Sequence, residues 1–337
     1  MEFSNAHKKR KNLVIHIGHP KTGTSTIQKI LVKNKDTINR LGIIYPDFGQ
    51  KYNAHHLLVN SLISHKRDNF LPKSDVTGSQ VVEELKNLAK NRCVDTVILS
   101  SEAFVWALGF KPAFEELEAA FEIHIVWIVR SPTEYANSMA NQLIKMGFFQ
   151  QGITLSHVIR EAINLADYAE NARAWRDRFP NARFSVASMA DGFDAWEFFC
   201  DEVNPSLRQL ERPEENSNVS LPPEALAFLL RLQAQERSRS NAESSRIMSM
   251  LDQYTKTANI YPRNVTVIPP DAQAALLKKF ENTGSEVAKM FPGFDPKGLE
   301  PRERQFVDLA AIPAEYVMQV YDFCMEQYNG YIDFLRR

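Results

Sequence analysis

Val14-Ile15-His16-Ile17-Gly18-His19-Pro20-Lys21-Thr22-Gly23-Thr24-Ser25-Thr26 is the stretch on which the reading of this chain turns. Leu13 to Ile17 is short, apolar and rich in β-branched residues, the pattern of a buried strand. Gly18 ends the run, and a helical pattern occupies about Thr24 to Asn34. Between them lies a turn, closed by Gly23 and followed by three hydroxyl residues, Thr24, Ser25 and Thr26. A strand, a tight turn and a helix start aim backbone N–H groups and the positive end of a helix dipole at one point, which suits an anion. Glycine permits the turn because it has no Cβ.

Outward from that stretch, strand and helix signals alternate. Val81 to Lys90 reads as an amphipathic helix, and Thr96 to Leu99 and Ile123 to Val129 as buried strands. Phe184 to Ala187 is a further strand, preceded by a helix through Trp175. Ser131-Pro132-Thr133-Glu134 has the form of a helix start: serine caps, proline takes the first turn, and glutamate closes a capping box. On the helix that follows, the stripe Tyr135, Met139, Met146 is expected to face the core, and Gln142 and Lys145, on the Ser138 face, to face solvent or else the acceptor. Strands separated by helices predict an α/β fold. It is a P-loop-like three-layer sandwich with a mostly parallel central sheet and helices on both faces. From about Pro222 the pattern is helical, clearest at Glu224 to Gln235 and Ala314 to Tyr328, and the polar stretch Glu211 to Ser220 reads as a boundary. The expected organisation is an α/β domain over residues 11–215 and a mainly helical extension over 216–337 packed on it.

The turn departs from a Walker A loop in one decisive place. Gly18 and Gly23 have the G-x-x-x-x-G spacing, but Thr24 stands where the lysine belongs and the lysine is Lys21, before the second glycine. Pro20-Lys21-Thr22-Gly23-Thr24-Ser25 instead resembles the loop with which sulfotransferases hold the 5′-phosphosulfate of 3′-phosphoadenosine 5′-phosphosulfate (PAPS). Thr26 extends the same hydroxyl-rich start. Ile128-Val129-Arg130-Ser131-Pro132, with Ser138 eight residues after Arg130, is similar to that family's 3′-phosphate motif. An arginine at the carboxyl end of a parallel strand faces the crevice in which α/β folds bind ligands, and its planar fork matches a phosphate. The resemblance implies Arg130 and Ser138 as the 3′-phosphate holders. It runs over about residues 11–235 and takes in Gln142, Gly147, Tyr168, Trp175 and the loop Asn216 to Ser220. It implies PAPS as co-substrate, no metal, and an acceptor hydroxyl on a carbohydrate or glycolipid.

Sulfuryl transfer is an in-line displacement governed by positioning and charge stabilisation. Lys21 is the candidate to neutralise the leaving oxygen. For the general base, Glu102 follows Val97-Ile98-Leu99-Ser100-Ser101 and so stands at the mouth of a core strand; its alternative role is to complement the dipole of a helix over Ala103 to Leu108. His55 and His56 are the other candidates for the base, against a solvated helix start. His16 is expected to be structural; His19 is expected to shape the loop or touch the nucleotide.

A net charge of −1 over 337 residues gives no bulk attraction to nucleic acid, and Lys8 to Lys11 is expected to be a solvated tail. Cys93, Cys200 and Cys324 form neither a disulfide framework nor a zinc spacing, which fits a reducing, cytoplasmic setting. No run approaches the roughly 18 apolar residues of a membrane span. Two other classes stay open: a nucleotide-binding protein without turnover on the same fold, and a P-loop kinase or NTPase.

Overall fold

The computed structural model describes residues 10–19, 21–62, 76–109, 112–147, 154–213, 220–234, 241–257, 260–261 and 264–327. Its strands are β1 Lys11–Gly18, β2 Ile43–Ile44, β3 Thr96–Ser101, β4 Phe121–Val129, β5 Arg183–Ser188, β6 Val265–Thr266 and β7 Gln305–Phe306. The helices before β5 are α1 Thr24–Lys33, α2 Lys35–Arg40, α3 His56–Leu62, α4 Gly78–Lys90, α5 Pro132–Lys145, α6 Leu155–Leu165 and α7 Tyr168–Arg178. After it come α8 Ala195–Val203, α9 Pro223–Gln233, α10 Asn241–Thr257, α11 Pro270–Lys279, α12 Thr283–Met290 and α13 Ala314–Gln327.

The chain forms two compact units. The first holds the residues up to Arg130 with Asp167–Glu215 and Asn282–Glu300; the second holds Ser131–Ala166, Asn216–Glu281 and Pro301–Arg337. The chain therefore passes between units at residues 215–216 and also on either side of α5–α6 and of α12.

The first unit is the α/β body, a five-stranded sheet in the order β2-β3-β1-β4-β5 with every pair parallel. Parallel strands need helical crossovers, and these cover both faces, so the strands are apolar on both sides. Val14, Ile98, Val126 and Ile128 pack on one face with Ile27, Ile30 and Leu31 of α1 and Trp196, Phe199 and Cys200 of α8. The alternate residues of the strands turn to the other face, where the Trp127 ring meets Tyr168 of α7 edge-on at 5.9 Å. Leu13, Ile15 and Ile17 of β1 have no exposed surface. Trimming one of them to alanine costs about 2–5 kcal/mol.

Two expectations are corrected here. Lys11 is not in a solvated tail: it opens β1, and its ammonium lies 3.4 Å from Asp95. Lys8 and Lys9 fall outside the described residues. The expected helix after Glu102 is a 3-10 turn, Glu102–Gly109.

The second unit is mainly helical, with β6 and β7 as a two-residue parallel ladder. Its buried polar groups answer one another. Arg304 holds Glu134 bidentately, at 2.5 Å from Nε and 2.7 Å from Nη2. The Asn141 amide donates to the Leu221 carbonyl at 2.9 Å, and Gln233 donates to the Ile144 carbonyl at 2.6 Å. The capping box expected at Ser131 does not form: Ser131 makes no side-chain cap bond, because Glu134 is held in a charge-assisted fork by Arg304. Of the stripe expected to face the core, Tyr135 is buried, Met139 is half-buried and Met146 is 57% exposed, because Met146 lies one residue past the helix end. Lys145 is half-buried rather than solvated, and burial lowers its pKa.

Candidate functional site

The strand order fixes where a ligand would sit. The chain leaving β1 travels to β2 on one side, and the chain leaving β4 travels to β5 on the other. Their carboxyl ends diverge, and a divergence of this kind opens a crevice at the edge of the sheet. Gly18 is paired with Ile128, so the turn after β1 and Arg130 after β4 emerge at the same level.

The turn is built by close approach. A Cβ on Gly18 would fall 2.1 Å from Thr24 Cγ2, so only glycine lets the Thr24 side chain lie over the end of the strand. Gly23 caps α1 in the left-handed region, φ 85°, with no side-chain cap bond. The first N–H groups of an α-helix have no partner inside the helix, and here no side chain at the cap takes them. Thr22 donates from Oγ1 to the His19 carbonyl at 2.6 Å and from its N–H to the same carbonyl at 3.2 Å. The Thr24 hydroxyl is buried and has no hydrogen-bond partner among the described residues, whereas buried hydroxyls are almost always satisfied. Ser25 and Thr26 are half-buried on the first turn of the helix. Pro20 lies outside the described residues.

Lys21 adopts φ 69°, a region that costs a residue with a side chain roughly 1–2 kcal/mol. The strain is held in place from the neighbouring strand, where Arg130 Nη1 donates to the Lys21 carbonyl at 2.8 Å. Arg130 is anchored in turn, since its own carbonyl accepts from Tyr168 Oη at 2.7 Å. The Tyr168 ring packs edge-on against His19 at 5.1 Å, and burial pushes its phenol well up. His19 is fully buried in this packing. The strained lysine, the arginine and the hydroxyl-rich helix start are therefore one junction.

A second cluster stands at the end of β3. Glu102 is about a quarter exposed, with His56 Nε2 3.6 Å from its Oε2. Ser101 Oγ accepts from the Ala103 N–H at 3.1 Å and lies 2.8 Å from His56 Nδ1. A carboxylate only accepts, so the neutral His56 ring carries its proton on Nε2, facing Glu102, and Nδ1 accepts from the Ser101 hydroxyl. Burial holds His56 below the usual imidazole range against the opposing pull of Glu102.

The adjacent histidine has a different part. His55 Nδ1 accepts from the Ser100 N–H at 3.1 Å, and its Nε2 lies 2.9 Å from the Pro46 carbonyl, to which it donates. Both ring nitrogens are bound to main chain, the ring is fully buried, and burial lowers its pKa to about 4. It fastens the segment before α3 to β3 and has no nitrogen left to receive a proton from a substrate. His16, also fully buried, has Nδ1 2.8 Å from Ser100 Oγ and packs edge-on against Phe199 at 5.3 Å.

The structure thus brings Lys21, Thr22, Gly23, Thr24, Ser25, Thr26 and Arg130 to one crevice edge, with Glu102 and His56 at the end of the strand on the other side of β1. Ser138 is buried on α5 in the second unit and keeps its assignment on its spacing from Arg130 alone. The loop Asn216 to Val219 lies outside the described residues. Sequence reasoning missed Gln28, which reaches from α1 to both Ser100 and Glu102. Its signal was available: it lies four residues after Thr24, on the same face of the helix. Among the described residues, no group of three or more His, Cys, Asp or Glu side chains is arranged to hold a metal, and no helix is long and apolar enough to cross a membrane.

No family model matches the chain, and no curated protein matches it. Two solved structures are similar. The sulfotransferase from Alicyclobacillus acidocaldarius shares 13% identity at a TM-score of 0.39, over 84% of this chain and 96% of that one. The sulfotransferase domain from the curacin biosynthetic pathway shares 13% identity at a TM-score of 0.36, over 81% of this chain and 98% of that one. Likeness of this size leaves the function to be argued from the residues.

Proposed function

We propose that this chain is a sulfotransferase that moves the sulfuryl group of PAPS to an acceptor hydroxyl, with a carbohydrate or glycolipid as the acceptor class. The observation that carries the reading is the bond from Arg130 to the Lys21 carbonyl. The two segments that resemble the nucleotide motifs are more than a hundred residues apart in sequence, yet they are one hydrogen-bonded junction at the crevice. The residues fit a phosphate-bearing co-substrate: an uncapped helix start and a buried, unpartnered Thr24 hydroxyl supply donors with nothing bound to them inside the protein. The acceptor class follows from the motif resemblance.

In this reading the loop Thr22 to Thr26 holds the phosphosulfate, and Arg130 with Ser138 holds the 3′-phosphate. Lys21 neutralises the charge that grows on the phosphate oxygen as its bond to sulfur breaks. Glu102 takes the proton from the acceptor hydroxyl as the new oxygen–sulfur bond forms, and 3′-phosphoadenosine 5′-phosphate leaves. His56, neutral near pH 7, stands with Nε2 3.6 Å from the carboxylate and is the nearest imidazole to it. His55 holds the main chain on which His56 stands.

Calorimetric titration without Mg²⁺ tests the nucleotide assignment. 3′-Phosphoadenosine 5′-phosphate is expected to bind at least about 10-fold more tightly than adenosine 5′-phosphate, the worth of one charge-assisted contact. Arg130→Ala should remove that preference. Equal binding of the two nucleotides, or a requirement for Mg²⁺, would replace this reading with that of an NTPase.

A further inference from the structure

We infer that Gln28 is the positioning residue for the Glu102 base, and that through it the base is fastened to the same helix whose first turn forms the anion loop. The inference rests on the sulfotransferase reading and adds to it the part that holds the base in register with the nucleotide.

Gln28 is 3% exposed, on the buried side of α1 with Thr24, Ile27, Ile30 and Leu31. An amide buried among such neighbours is destabilising unless it is hydrogen-bonded. Its Nε2 lies 3.2 Å from Ser100 Oγ and 3.5 Å from Glu102 Oε2. A carboxylate only accepts, so the atom turned to Glu102 is the NH₂ group and the amide has one orientation. Ser100 is itself immobilised. Its hydroxyl lies 2.8 Å from His16 Nδ1, its N–H donates to His55 Nδ1 at 3.1 Å, and its carbonyl accepts from the His55 N–H at 2.9 Å. One hydrogen of the amide is thus anchored on a fixed hydroxyl while the other is directed at the base.

The geometry around the carboxylate is asymmetric. Gln28 from α1 and His56 from α3 both approach Oε2, which leaves the proton transfer to Oε1. The titratable groups facing Glu102 are His56 and, after β2, Tyr45; both are neutral at pH 7. Gln28 is therefore a donor that holds the carboxylate in place without adding a charge of its own. Because Gln28 is one helical turn beyond Thr24, a shift of α1 around the anion would carry the base with it.

The test compares wild type, Gln28→Met and Gln28→Glu in the full chain. Methionine keeps the volume and removes the donors; glutamate sets a second carboxylate against the first. Three readouts are taken: the ¹³C NMR chemical shift of the Glu102 carboxyl at pH 7, assigned with Glu102→Gln; calorimetric affinity for 3′-phosphoadenosine 5′-phosphate; and basal release of that nucleotide from PAPS with water as acceptor. Gln28→Met should move the carboxyl resonance, because its donor is gone, and slow release by about 10-fold or more, part of what a general base supplies, with nucleotide affinity held within about twofold. Gln28→Glu should slow release further. An unmoved resonance, or affinity falling in step with turnover, overturns the inference and leaves the enzyme reading standing. A wild-type chain that does not prefer the 3′-phosphorylated nucleotide removes the enzyme reading itself, and the inference with it, whatever the carboxyl resonance does.

Discussion

The two edges of the central sheet carry similar residues and use them differently. At the amino edge, Arg183 Nη2 donates to Glu202 Oε2 at 2.6 Å, Ser185 donates to the same oxygen at 2.5 Å, and His124 Nε2 lies 2.9 Å from Ser185 Oγ. Arg183, Glu202 and His124 line a cavity of about 200 Å³, yet each has found a partner among the described residues. At the carboxyl edge, a lysine is held in the left-handed region, a helix begins without a side-chain cap, and the Thr24 hydroxyl is buried with no partner. A cavity is thus not what distinguishes the edges. What distinguishes them is strain and unspent donors, which persist only where surrounding structure over-determines them and where a ligand can complete them.

The largest effect that would sharpen this contrast belongs to Glu102. Glu102→Gln keeps the shape of the site and removes the proton acceptor, so PAPS turnover should fall by about 10²-fold or more, while calorimetric affinity for the nucleotide product stays near wild type. A variant that turns over normally would move the base to His56, in the tautomer that donates from Nδ1 to Ser101 and leaves Nε2 to accept, since main chain fixes both nitrogens of His55.

Acid should next break both edges together, because each rests on a buried neutral histidine. Burial lowers His16 to about 3 and His55 to about 4 beneath the carboxyl edge, and lowers His124 to about 4 at the amino edge. These folded-state values lie below the ordinary value of about 6.5, so between pH 6.5 and 4 the unfolded chain binds more protons than the folded one. Stability is then complete above that window and is lost as pH falls through it. At about 1.4 kcal/mol per unit, His55 alone withdraws roughly 3 kcal/mol by pH 4. The thermal midpoint should be level from pH 8 to 7 and fall steadily below 6.5; a level profile down to pH 4 would contradict the protonation states assigned here.

The smallest effect separates the edges most cleanly. Glu202→Gln removes the negative charge that Arg183 and Ser185 share, weakening two contacts at a partly exposed site, and should cost about 1–2 kcal/mol by chemical denaturation. Nucleotide affinity should not change. A change in affinity would mean that the amino edge is coupled to the crevice and that the division drawn between the two is wrong.

Much of this was legible in the chain itself. The strands β1, β3, β4 and β5 announced themselves because a parallel sheet covered on both faces writes continuous apolar runs. The turn over residues 18–26 was legible because glycines at fixed spacing and clustered hydroxyls are local signals. Arg130 was found because it follows a strand directly. The misses share a cause. Met146 was assigned to the core by helical period, but the helix ended one residue sooner. Glu134 was assigned to a capping box, but Arg304, 170 residues away in sequence, offered a stronger partner. Gln28 went unnoticed because a glutamine on a helix says nothing until its neighbours are known.

By itself, the sequence determined the α/β class, the glycine- and hydroxyl-rich turn after β1 and the set of ionisable residues that stand at strand ends, since each depends on neighbours within a few positions. Only the tertiary structure decided that Arg130 fastens the Lys21 carbonyl, that His55 is locked while His56 faces Glu102, and that Gln28 joins Glu102 to the helix that begins at Thr24. Those are bonds between segments distant in the chain, and the order of strands in the sheet, which local periodicity does not encode, is what brought them together.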